Sequence, residues 1–193
     1  MLFNSLTFIV FFAVVLALHN APLPWKVKKT NLLLASYVFY AGWNPPFVIL
    51  GWLSSMVDWR VAMTIYAEDR LSRRRAWVAV SVLVNLGLLG YFKYGEFLLE
   101  NWQVVMSTMG VAWTPPDWDI VLPVGISFYT FQTMAYSLDV YLRRAKPADS
   151  LLDFALFVTF FPQLVAGPIV RPTQLIPQFQ KPVRASANQL LWG

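Results

Sequence analysis

Between Leu122 and Arg144 the apolar stretch LPVGISFYTFQTMAYSLDVYLRR carries Ser127, Gln132, Asp139 and the tyrosines Tyr129, Tyr136 and Tyr141. At roughly 100° per residue, an α-helix gathers Gly125, Tyr129, Gln132, Tyr136, Asp139 and Arg143 into a sector of roughly 80°. Phe128, Phe131, Ala135, Leu138 and Leu142 point elsewhere. An aspartate inside hydrocarbon costs about 2.5–3.5 kcal/mol on insertion scales, so such a side faces protein or a wet cavity. Two uses fit it: hydrogen-bonding glue between helices, or the lining of an internal path for a polar substrate. Asp139 and Arg143, four residues apart, have the spacing of an ion pair.

A second constellation lies in FFPQLVAGPIVRP, from Phe160 to Pro172. Pro162 sits late in an apolar run, Gly167 and Pro168 end it, and Gln163 and Arg171 flank the break. A broken helix frees backbone amides and carbonyls that can hold a ligand where protein shields them. An ordinary helix end leading into a loop accounts for the same residues. Lys93, in the otherwise apolar LGYFKYGEF, has the reach to snorkel toward headgroups or to pair with Glu96.

The chain has no cysteine, which excludes disulfides, thiolate metal sites and thiol catalysis. Its one histidine, His19, rules out a multi-histidine metal centre, and no metal site is expected. His19 closes the first apolar run and reads as an interfacial residue.

The elements that must position these groups are membrane helices. Hydrophobic residues make up 58% of the 193 positions and charged ones 13%. Soluble domains carry about 25% charged residues, so little here can cover a water-facing surface. Mean hydropathy is +0.53, and nine Trp, eight Tyr and fifteen Phe suit a chain that straddles headgroups and acyl tails. The net charge of +5 and pI near 9.6 do not point to nucleic acid. The basic residues cluster between apolar runs, at Lys26–Lys29, Arg70–Arg75 and Arg143–Lys146, as in cytoplasmic loops.

Along the chain, Leu2–Leu18 predicts a retained helix, because no basic n-region or good cleavage site marks a signal peptide. Asn31–Val57 predicts two short helices in a hairpin broken at Pro45-Pro46. YAEDRLSRRR follows as a cytoplasmic loop or surface helix. Ala76–Leu99 predicts a span leading to an outer side with Glu100, Asp117 and Asp119, and NWQVVMSTMGVAW an interfacial helix there. Leu122–Leu142 returns, and Leu151–Val165 re-enters. The polar stretch Gly167–Pro182 must be shielded by protein or lie outside the bilayer. The expectation is an all-α polytopic membrane protein with about five to six membrane-embedded helices. Ala187–Gly193 reads as the start of a further helix, so residues 1–193 are expected to be the N-terminal part of one transmembrane domain.

Three motifs in order, LGYFKYGEF (89–97), LPVGISFYTFQTMAYSLDVYLRR (122–144) and FPQLVAGPIVRP (161–172), resemble the membrane-bound O-acyltransferase family. The resemblance covers essentially the whole chain and is nearest the alginate O-acetyltransferase-like bacterial branch. It implies a helical bundle around a tunnel that crosses the membrane. An acyl group enters from the cytoplasm as a thioester of coenzyme A or of a carrier protein, with no permanently bound cofactor. It leaves toward hydroxyls of an exported polysaccharide such as alginate, through periplasmic or extracellular partner proteins. The implied location is the bacterial inner membrane.

Gln132, Tyr136, Asp139, Gln163, Gly167, Pro168 and Arg171 would then shape the tunnel or brace the catalytic core. The family's essential histidine lies downstream of these motifs and His19 does not match it. No catalytic residue is therefore expected in this chain, which should be inactive alone. Two other functions fit the residues: a transporter of a lipid-linked or small substrate, for which proline-broken helices are also suited, and a non-catalytic membrane scaffold.

Overall fold

The computed structural model describes residues 4–42, 45–116, 121–164, 167–168 and 170–182. Eight helices are present among them: α1 (Leu6–Asn20), α2 (Trp25–Ala41), α3 (Pro46–Ala67), α4 (Leu71–Thr108), α5 (Ile126–Tyr141), α6 (Leu151–Thr159), α7 (Phe161–Leu164) and α8 (Pro172–Gln180). No strand occurs among the described residues, as the all-α expectation requires.

Local chemistry explains the boundaries. Ser5 caps α1 by accepting from the Phe8 amide at 3.2 Å, and Ser150 caps α6 by accepting from the Asp153 amide at 3.2 Å. Such caps satisfy donors that a first turn leaves free. Pro46 occupies the first position of α3, where its missing N–H costs nothing. Gly125 precedes α5 at φ 75°, a left-handed conformation that glycine adopts without a Cβ penalty.

Large apolar side chains are exposed and several polar ones are buried, unlike the surface of a water-soluble bundle. Leu6, Ile9 and Val10 on α1 and Leu83, Phe97 and Val104 on α4 are exposed, whereas Asp58, Asn85, Gln132 and Thr133 are buried. α3 and α4 are long and apolar enough to cross a membrane, and α1 is a shorter apolar helix. α3, α4 and α5 pack on one another, α6 lies against α2 and α3, and α8 rests on α6. Ile65, Ile126, Val140, Phe154 and Phe157 form the main apolar core. Phe11, Phe39 and Phe161 form a smaller one that holds α1 in place.

Several boundaries differ from expectation. The break at Pro45-Pro46 is present, but α2 starts at Trp25 and α3 runs to Ala67. Lys26–Lys29 thus stand on a first helical turn, and Asp58 lies within a helix. The span and the interfacial helix expected at 76–113 are one helix, α4, of 38 residues. At 1.5 Å per residue it is about 57 Å long, more than a hydrocarbon core of about 30 Å. Of YAEDRLSRRR, expected as a loop or surface helix, only Glu68–Arg70 lie outside α3 and α4. Leu151–Val165 is not one helix: α6 has nine residues and gives way at Phe160. Part of the polar stretch after Gly167 is helical, as α8. Asp117, Asp119, Val165 and Ala187–Gly193 lie outside the described residues.

Candidate functional site

The polar side of α5 does turn inward. Tyr129, Gln132 and Tyr136 are almost fully buried, while Phe131, Leu138 and Leu142 face out. Two of these groups meet protein atoms. Gln132 Nε2 donates to the Phe157 carbonyl at 2.8 Å, and Tyr136 Oη accepts from the Ala148 amide at 3.0 Å. The hydroxyl of Tyr129 and Oε1 of Gln132 are buried with no partner among the described residues.

The Phe157 carbonyl is free to accept because α6 breaks immediately after it. In an unbroken helix the Phe161 amide would be its donor; here that amide donates to Ser36 Oγ of α2 at 3.2 Å. Pro162 contributes no amide at all. Gln163 Nε2 adds a second bond to the Phe157 carbonyl, at 3.0 Å. One buried carbonyl thus ties α5, α6 and α7 together. Gly167 stacks its amide on the Gln163 carbonyl at 2.9 Å. A Cβ at Gly167 would lie 2.5 Å from Cβ of Gln163, so the turn requires glycine. Pro168 is exposed.

The remaining expected residues stand elsewhere. Asp139 is half-buried, and its side chain forms no pair with Arg143. Arg143 lies past the end of α5 at φ 59°, so helical i, i+4 geometry does not reach it. Its guanidinium instead donates to the Tyr66 carbonyl at 2.7 Å and stacks over the Tyr66 ring at 4.9 Å. The Asp139 backbone carbonyl closes the turn by accepting from the Arg144 and Ala145 amides. Arg171 is exposed and precedes α8, with no side-chain capping bond. Lys93 does not pair with Glu96; its ammonium donates to Ser127 Oγ at 3.2 Å. His19 packs edge-on to Trp25, ring centroids 5.8 Å apart.

The most polar interior site was not anticipated. Asp58 of α3 is 1% exposed. Its Oδ1 accepts from Ser81 Oγ at 2.7 Å and from Asn85 Nδ2 at 3.0 Å, and its Oδ2 from the same nitrogen at 2.9 Å. Thr133 donates to Asn85 Oδ1 at 3.0 Å, and Ser81 Oγ, its proton committed to Asp58, accepts from Ser137 Oγ at 3.1 Å. Among the described residues no cation pairs with Asp58. α3, α4 and α5 are therefore joined by a carboxylate held on neutral donors. The signal lay in polar pairs four apart within apolar runs, Ser81 with Asn85 and Thr133 with Ser137, which share a helix face.

A second missed feature is the buried pair of Lys29 and Asp153, whose carboxylate also accepts from Ser150 Oγ at 2.8 Å. It fixes the start of α2 to the start of α6. At the same end of the bundle Arg74 donates to the Tyr141 carbonyl, Trp59 Nε1 to the Ala148 carbonyl at 3.0 Å, and Trp25 Nε1 to the Phe179 carbonyl at 2.7 Å. The three basic clusters are thereby collected at one end. The opposite end is closed by Tyr40, whose hydroxyl donates to the Val124 carbonyl at 2.7 Å. Among the described residues no group of acidic, histidine or cysteine side chains is placed to hold a metal.

No protein-family model and no solved structure matches the chain. It is similar to curated proteins. The protein named "Probable alginate O-acetylase AlgI" from Pseudomonas aeruginosa is 37% identical over 155 residues, which is 80% of this chain and 30% of the relative. Its namesake from Azotobacter vinelandii is 36% identical over 181 residues, 93% of this chain and 36% of the relative. A "Peptidoglycan O-acetyltransferase" from Helicobacter pylori is 34% identical over 176 residues, 79% of this chain and 32% of the relative. The chain thus spans about a third of the length of these relatives. On motifs and similarity together, it belongs to the membrane-bound O-acyltransferase family, in the branch of the alginate and peptidoglycan O-acetyltransferases.

Proposed function

We propose that the chain is part of an O-acyltransferase that carries an acetyl group from a cytoplasmic thioester to hydroxyls of an exported polysaccharide such as alginate. The observation that carries this is the 36% identity over 93% of the chain to a relative whose name is an alginate O-acetylase. In the reaction the acceptor hydroxyl oxygen forms a bond to the thioester carbonyl carbon. The carbon–sulfur bond breaks, and the acceptor's proton ends on the departing thiol. A general base would assist by taking that proton as the bond forms; none of the described residues is assigned to that task.

We infer a multi-pass protein of the bacterial cytoplasmic membrane. Support comes from the apolar exterior and from the basic residues gathered at one end, which the positive-inside rule puts in the cytoplasm. The donor, coenzyme A or an acyl carrier, would then approach the end bearing Lys29, Arg74 and Arg143. Acetyl-transfer partner proteins would meet the Tyr40 end.

Gln132, Tyr136 and Gln163 serve this arrangement by holding the α6–α7 break and the 145–150 turn, so that backbone does not face lipid unsatisfied. Asp139, Gly167, Pro168 and Arg171 flank that frame.

Membrane vesicles containing the protein, supplied with labelled acetyl thioester outside and polysaccharide inside, test the proposal. Alkali-labile label on the polymer is the expected result. Unmodified substrate crossing the membrane would instead identify a transporter, and partner binding with neither outcome a scaffold.

A further inference from the structure

The turn after α5 and the first turns of α8 enclose a groove of about 340 Å³, within the size range of small-ligand sites. Arg144 and Lys146 line one wall, Thr173 and Ile176 another, and Asp149 and Gln180 close it. Both cations are exposed, and neither side chain makes a hydrogen bond or ion pair with a described residue. Asp149 is already engaged, accepting from Gln180 Nε2 at 2.9 Å. The N-terminus of α8 opens on the same groove with no side-chain cap; Pro172 has no N–H and the Gln174 amide donates to the Arg171 carbonyl at 3.0 Å, so the Thr173 amide and a partial positive charge are left there. At this end of the bundle Lys29 is taken up by Asp153, Arg74 by Tyr141 and Arg143 by Tyr66. Arg144 and Lys146 are set apart from the other exposed cations by lining a groove large enough for a ligand.

We propose that this groove binds a phosphate ester, with Arg144 and Lys146 as its charged contacts. Assigning that phosphate to a thioester donor rests on the acyl transfer proposed above; phosphate recognition itself does not. A phospholipid headgroup offers the same chemistry, and the experiment separates the two sources.

Equilibrium binding of coenzyme A is measured on the full-length protein in phosphatidylcholine nanodiscs. Pantetheine, which lacks phosphate, is the control. Neutralising each cation is expected to weaken coenzyme A binding roughly tenfold, and Arg144→Gln with Lys146→Gln about a hundredfold. Arg144→Lys should retain most of the affinity, and Asp149→Asn should tighten binding by removing the opposing charge.

Coenzyme A bound equally well in discs with and without phosphatidylglycerol supports a soluble ligand. Competition by phosphatidylglycerol, sensitive to the same substitutions, supports the site with lipid as its source. Unchanged affinity in the double variant, equal binding of pantetheine, or no coenzyme A binding in either disc overturns the proposal. Groove-dependent binding without acetyl transfer would remove the transfer reading and leave the site. Transfer with an unaltered KM in the double variant would do the reverse.

Discussion

The carbonyl of Phe157 offers a quantitative test of how α6 tolerates its break. It accepts from Gln132 at 2.8 Å and from Gln163 at 3.0 Å, in place of the backbone donor lost to Ser36. A neutral buried hydrogen bond contributes about 1 kcal/mol net, whereas an orphaned buried carbonyl costs about 1–3 kcal/mol. Gln163→Leu removes one of two donors and should cost about 1 kcal/mol. Gln132→Leu should cost less, about 0.5 kcal/mol, because it also removes a buried Oε1 that has no partner. The double variant leaves the carbonyl with no side-chain donor and should cost about 2–4 kcal/mol, so that the two sites couple by about 0.5–2.5 kcal/mol. Equilibrium unfolding in mixed micelles of the four proteins gives the coupling directly. In a thermal assay each 1 kcal/mol corresponds to about 2–4 °C in Tm. Strictly additive losses would refute the idea that both amides serve one acceptor.

Four further outcomes follow from the geometry. Lys29→Met should destabilise by about 3–5 kcal/mol because it strands the Asp153 carboxylate in the interior, and Lys29→Met with Asp153→Leu should recover much of that loss in the same unfolding assay. Asn85→Leu removes the amide that serves both oxygens of Asp58 and should cost about 2–3 kcal/mol, while Asp58→Asn, which removes the charge, should cost less. Gly125→Ala forces a side chain into φ 75° and should lose about 1–2 kcal/mol. Gly51→Ala, in mid-helix with nothing within 4 Å of the new Cβ, should gain up to about 1 kcal/mol.

The sequence was most informative where periodicity and prolines act alone. The inward face of α5 follows from the spacing of Tyr129, Gln132 and Tyr136, and the break at Pro45-Pro46 follows from missing amides. It was least informative where tertiary contacts decide. Arg143 left the polar stripe because the chain turns left-handed one residue beyond Leu142, a choice not visible in helical spacing. The continuity of α4 through Asn101 and Trp102 was hidden by polar residues that here decorate an exposed helix face. Asp58 was missed because the expected hairpin was ended at Val57, one residue before it, whereas α3 runs on to Ala67. The Lys29–Asp153 pair joins residues 124 apart in sequence, and no local pattern announces it.

The central claim concerns acetyl chemistry on an exported polymer. It is tested most directly by deleting the gene in its native bacterium and measuring O-acetyl groups on the exported polysaccharide by proton NMR. Loss of the acetyl signal at unchanged polymer yield, restored by the wild-type gene, is the predicted result. Polymer that keeps its full acetylation in the deletion strain would contradict the account.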